Sequence, residues 1–298
     1  MKIKMNKNKS INSNFYFEGW YLKHQANGKT IALIPGIAKD GPFIHIVTNK
    51  KSWFIKFAES EYFKTDECIL IGNNIFSLNG ISIDINRPEI KISGEIIYKN
   101  TTPIKNDIMG PFRFFPMECK HLIKSMIHDL TGQLTIDNEV YDFNGGKGFI
   151  EGDSGTSFPS AYTWVHANDF NVEKNISIVA AVAKIPFYGL KFWGCICVVM
   201  IDSKEYRLAT YKNVKILLAE KNKIRLKQGK YILDITIDSS GGHWLPAPRR
   251  GIMDNLILED LSCPAHFKFT YEDKIIFEGE STQTSYEFHE LNIKNKSV

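Results

Sequence analysis

Helical periodicity is scarce in this sequence, and three other features are missing: a bilayer-spanning apolar run, a cysteine framework and a block of like charge. Each absence removes a class of protein. Lysine plus arginine outnumber the acids by only 37 to 33, and the resulting charge of +4 is scattered over 298 residues. Nucleic-acid binding needs a concentrated basic face, so no nucleic-acid partner is expected. The five cysteines, Cys68, Cys119, Cys195, Cys197 and Cys263, are an odd number without framework spacing. That pattern points to a reducing compartment. The most apolar stretch, Ile176 to Ile201, is broken by Lys184, Pro186 and Lys191 and falls short of the ~20 uninterrupted residues of a membrane helix. Lys2, Lys4, Lys7 and Lys9 are followed by asparagine and serine, without the apolar core of a signal peptide. A cytoplasmic location is expected, with at most peripheral membrane contact.

What the sequence does have is alternation. Ile81, Ile83 and Ile85 alternate with Ser82 and Asp84, and Tyr231, Leu233, Ile235 and Ile237 alternate with Asp234, Thr236 and Asp238, the period of two of a strand with one buried face. Phe43 to Thr48 and Trp53 to Phe57 read the same way. Asn27-Gly28, Asp40-Gly41, Asn79-Gly80, Asp137-Asn138 and Glu272-Asp273 separate such runs at the spacing of antiparallel hairpins. Met117 to Leu130 fits both a helix and a strand. Many short strands and few helices predict a closed or nearly closed antiparallel sheet, and the length suits two barrels of roughly eight strands. The alternation breaks at Phe158-Pro159, which predicts one unit over residues 1–160 and a second over 161–298.

Four segments hold more aromatic and ionisable residues than core strands need: FYFEGWYLK (Phe15 to Lys23), MGPFRFFPMECKHLIKSMIH (Met109 to His128), GFIEGDSGTSFPSAYTWVHANDF (Gly148 to Phe170) and WLPAPRRGIM (Trp244 to Met253). In extended chain Glu18 and Trp20 share a face, as do Glu151 and Asp153, and Trp164 and His166. The segments resemble those of the tocopherol cyclase family, above all FEGWYLK and the central GFIEGDSGTSFPSAYTW. The resemblance implies an all-β fold of two lipocalin-like antiparallel β-barrel domains packed together. It also implies cofactor-independent chemistry on a prenylated aromatic or a polyene, in which an alkene is protonated and the cation is closed into a ring or hydrated. The same architecture serves pericyclic enzymes. This chain departs from the family pattern at Ser154, where tryptophan is usual, at Tyr162, where another aromatic is usual, and at His166, where glutamine is frequent.

Such chemistry needs a carboxylic acid kept protonated by burial in a dry cavity, for which Glu151 and Asp153 are the candidates. A cation formed there is stabilised by aromatic faces, for which Trp20, Trp164, Trp193 and Trp244 are available. A neutral His166 would accept a phenol proton. Glu18, Tyr21, His121 and Tyr162 complete the expected substrate-binding set, and no cofactor or metal is expected. Cys119, His121 and His128 have ligand chemistry but no zinc-site spacing.

Plainer readings stand beside these. Glu151 and Asp153 would hold the turn around Gly152 and Gly155, the tryptophans would be core, and Glu18 would pair with Arg113 or Arg249. Cys195 and Cys197 read as small core residues, and Gly145-Gly146-Lys147-Gly148 as a hairpin. The whole would then be a non-catalytic lipocalin-like carrier of an apolar ligand.

Overall fold

The computed structural model describes residues 16–290 and 293–294. The basic residues Lys2 to Lys9 and Phe15 lie outside them. Among the described residues the chain is nearly all strand, interrupted by three short 3-10 turns at Glu59–Glu61, Gly110–Phe114 and Thr210–Lys212. No helix among them is long and apolar enough to cross a membrane. The ambiguous Met117 to Leu130 stretch falls almost wholly in the Cys119–Ile136 strand. Asn27-Gly28, Asp137-Asn138 and Glu272-Asp273 all have positive φ at both positions, the geometry of two-residue hairpin loops that match strand twist.

The strands form two antiparallel sheets, of twelve and eleven strands. These are more numerous and shorter than the eight apiece expected, because tight turns cut the meanders into pieces such as Cys68–Ile71 and Asn74–Ser77. The first sheet uses residues between Phe17 and Gly155, and the second those between Tyr162 and Lys294. Both are wired alike. In the first, the opening Phe17–Ala26 strand pairs with the closing Lys147–Gly155 strand. In the second, Tyr162–Ala167 pairs with Lys274–His289. This internal correspondence leaves no trace of identical residues in the sequence, because a fold repeat needs only the same pattern of faces.

Three main cores follow from the faces. Trp20, Leu22, Phe76 and Ile96 fill the first sheet, and Val165, Cys197, Leu233 and Phe267 fill the second. The third core lies between the sheets and includes Tyr21, Met126, Phe149, Trp164 and Val198. Strands lying between a sheet core and this shared core are buried on both faces. Phe17–Ala26 is therefore buried along nearly its whole length, whereas the outlying Ile90–Lys99 strand alternates between buried and solvent-facing positions.

Candidate active site

The central strands of both sheets bring the chemistry together where the sheets meet. His121 lies opposite Asp153 in the pairing of Cys119–Ile136 with Lys147–Gly155, and Ile123 lies opposite Glu151. An irregularity between Ile123 and Ser125 shifts the register immediately afterwards. His121, Glu151 and Asp153 thus project from one face of two neighbouring strands. The His121 ring spans the two acids, with Nδ1 2.9 Å from Asp153 Oδ1 and Nε2 3.1 Å from Glu151 Oε2. The Trp164 indole also donates to Glu151 Oε2 at 3.3 Å.

Burial by itself would lower the His121 pKa, but the charges of Glu151 and Asp153 outweigh it and hold the imidazolium well above its ordinary range. Burial raises Glu151, with His121 opposing the rise. These three residues each offer a ligand atom, all within 4.8 Å of one another. Both ring nitrogens of His121 already face carboxylate oxygens, an arrangement that suits a shared proton better than ligands converging on one ion.

Two cavities meet at this group. The larger encloses about 870 Å³ including its open mouth and is walled by Met109, Phe112, Met117, Ile185 and Phe192, with His121, Glu151, Asp153, Tyr162 and Glu287 at its polar end. The second, about 610 Å³, is lined by Phe17, Tyr21, Ile34, Leu245 and Glu259 among others, and shares Glu151, Asp153, Phe158 and Glu287 with the first. Apolar walls around a few convergent polar groups are the usual make-up of a small-molecule site.

Glu259 and Glu287 are directly opposite on adjacent strands. The Tyr162 hydroxyl donates to Glu287 Oε2 at 2.5 Å, and Tyr21 donates to Glu259 Oε1 at 2.6 Å. Glu259 Oε2 is buried without a hydrogen-bond partner. Burial pushes the Glu259 carboxyl up to about 7, and burial together with the neighbouring Glu259 charge pushes Glu287 well above the carboxylate range. Two opposed carboxylates favour holding a proton between them, and the upward push on Glu287 makes it the candidate acid of the cavity wall.

Several sequence-predicted site residues fall elsewhere. His166 is buried and kept neutral, by desolvation first and then by the charge of Lys23. It stacks on Phe149 at 3.7 Å between ring centroids instead of lining either cavity. Trp193 packs on the core of the second sheet under the Lys184 ammonium, while its neighbours Phe192 and Gly194 take the cavity positions. Trp244 is 63% exposed and Leu245 takes the inward place beside it. In both cases the alternation is displaced by one residue, which reverses the face.

Trp20 borders the second cavity, but its ring belongs to the first sheet's core, under the Lys124 ammonium at 4.4 Å. Glu18 pairs with Lys64 and accepts hydroxyl bonds from Tyr16 and Tyr62 at 3.0 and 3.2 Å. Its predicted partner Arg249 instead binds Asp254. Tyr21, Tyr162, Trp164 and His121 all line the cavities. Glu259 and Glu287 escaped the sequence reading because a glutamate between Tyr286 and Phe288 reads as the solvent face of a strand. Glu259 stands beside Asp260 in the mixed Ile252–Tyr271 strand, where one more carboxylate reads the same way.

No family model matches the chain, and no curated protein matches it. Solved structures do. Kievitone hydratase from Nectria haematococca is 12% identical, with 92% of this chain and 88% of that chain covered and a TM-score of 0.53. CghA is 8% identical with a TM-score of 0.59, and CghA with Sch210972 is 9% identical with a TM-score of 0.57; both alignments cover 93% of this chain and 89% of the other. At these identities the likeness is one of fold. The chain has the lipocalin-like, two-sheet all-β fold that hydratase and CghA structures share.

Proposed function

We propose that this protein is a cofactor-independent hydratase or cyclase that protonates an alkene of an apolar substrate, a prenylated aromatic or a polyene, in the cavity between the sheets. The observation that carries the reading is Glu287: half-buried at the wall of both cavities, opposite the buried Glu259, and with Tyr162 as its hydrogen-bond partner. The motif resemblance to tocopherol cyclases and the fold shared with a hydratase support the same reading.

In this mechanism the Glu287 carboxyl gives its proton to one alkene carbon, and positive charge develops on the more substituted neighbour. The faces of Trp164 and Phe112 and the new Glu287 carboxylate stabilise that charge. A phenol oxygen or a water then forms the new C–O bond and loses its proton to the Glu287 carboxylate, which restores the acid. His121, held by Asp153, positions Glu151 and sets its charge.

The test is incubation of the purified protein with prenylated quinols and linear polyenes in EDTA, analysed by chromatography and mass spectrometry. An isomeric product signals cyclisation, and a product heavier by one water signals hydration. Glu287→Gln should lower the rate by at least about 100-fold while substrate binding persists. Substrate retained but unchanged by the wild type would overturn the enzyme reading in favour of a carrier.

A further inference from the structure

An aromatic surface stands at the mouth of the larger cavity. Phe114, Tyr188 and Leu190 are 76%, 75% and 76% exposed, and Phe115 adds a further exposed ring. They come from two places, the Gly110–Phe114 turn with the residue after it and the loop joining Ile176–Phe187 to Leu190–Ile201. Scattered exposed apolar residues are ordinary, but a cluster of large side chains on loop tips is not.

Two further observations say what covers it. The first is continuity with the cavity. Phe187 touches Phe115 at 5.5 Å and Tyr188 at 4.8 Å on the outside, and Phe112 at 6.1 Å and Phe192 at 6.2 Å on the inside, measured between ring centroids. Phe112 and Phe192 are themselves cavity wall. The second is charge. The exposed Arg113 stands on the first segment, the exposed Lys191 directly follows Leu190, and Lys120 lies a few residues beyond Phe115, against the single acid Glu118 between them. Basic residues around exposed aromatic and aliphatic side chains are complementary to the headgroups and acyl boundary of an anionic bilayer.

We propose that this face docks on anionic lipid membranes, with Tyr188, Leu190 and Phe114 entering the interface and the basic rim on the headgroups. The cavity mouth then opens toward the bilayer, and an apolar molecule reaches it along the Phe115–Phe187–Phe112 path without crossing water. Docking stands on the surface alone; the delivery role rests on the proposed apolar substrate.

The experiment is co-sedimentation with sucrose-loaded vesicles of phosphatidylglycerol and phosphatidylcholine, and with vesicles of phosphatidylcholine alone. The full chain should bind the anionic vesicles, less so in high salt because headgroup attraction is screened. The double variant Tyr188→Ser/Leu190→Ser should bind at least about tenfold more weakly, with an unchanged melting temperature and unchanged turnover of detergent-dispersed substrate. Absence of wild-type binding, or equal binding by the double variant, would overturn the proposal. A wild-type dimer that the double variant turns into a monomer would also overturn it, since the face would then be a self-contact. Glu287→Gln should bind vesicles like the wild type, so failure of docking and failure of the catalytic reading remain distinguishable.

Discussion

Glu259 and Glu287 face one another across two adjacent strands, where like charges would repel in a medium that screens them poorly. The pair is tolerable because a proton is retained. Glu259 is raised from 4.5 to about 7 by burial, so the folded protein binds a proton that the unfolded chain releases. The stability this contributes is complete below about pH 4.5 and is lost as pH rises through about 7. Glu259→Gln, a permanently neutral mimic, should therefore gain on the wild type as pH rises from about 5 to about 8, read as a widening gap in urea midpoints. A gap that stays constant over that range would mean that Glu259 is charged throughout. His121 shows the opposite logic: it is a cation held in a buried place by two acids, and Glu151 depends on it for its setting.

The decisive element is the Lys147–Gly155 strand. It joins the opening strand of the first sheet to Cys119–Ile136 and places Glu151 between Tyr21 and Ile123, with Asp153 between Gly19 and His121. Its glycines let neighbouring side chains close over it. A Cβ at Gly148 would fall 2.2 Å from His128 Nε2, and His128 is buried, held by Ser125 at 3.1 Å and packed against Tyr98 at 4.4 Å. Gly148→Ala should cost about 1–3 kcal/mol, measured by denaturant unfolding. Loss of less than about 0.5 kcal/mol would show that His128 yields freely. Strand character here was legible from GFIEGDSG, but the register was not, because the irregularity at Ile123 to Ser125 depends on how two strands twist together.

On the scale of the molecule, the two sheets share a buried core as well as a site. Tyr21, Met126 and Phe149 from the first meet Trp164, Val179 and Val198 from the second, and Lys23 donates across to the Gln283 carbonyl at 2.6 Å. Separating the sheets would expose that core to water. Urea unfolding followed by tryptophan fluorescence and by far-ultraviolet circular dichroism should therefore give one coincident transition. Two separated transitions would show that the sheets are energetically independent. Residues 1–160 and 161–298 are proposed as structural units, not as independent folders.

The alternation, the hairpin dipeptides and the lack of helical periodicity determined the all-β architecture, because a period of two and positive-φ turns are local properties of the chain. The dense aromatic segments also pointed at His121, Glu151, Asp153, Tyr162 and Trp164, all of which line the larger cavity. Tertiary structure alone decided that Trp193 and Trp244 face away from it, that His166 is packed behind Phe149, and that Glu259 and Glu287 are opposed at the cavity wall. Which face of a strand is buried depends on register against partners more than a hundred residues away, and a carboxyl becomes a neutral acid only through what surrounds it.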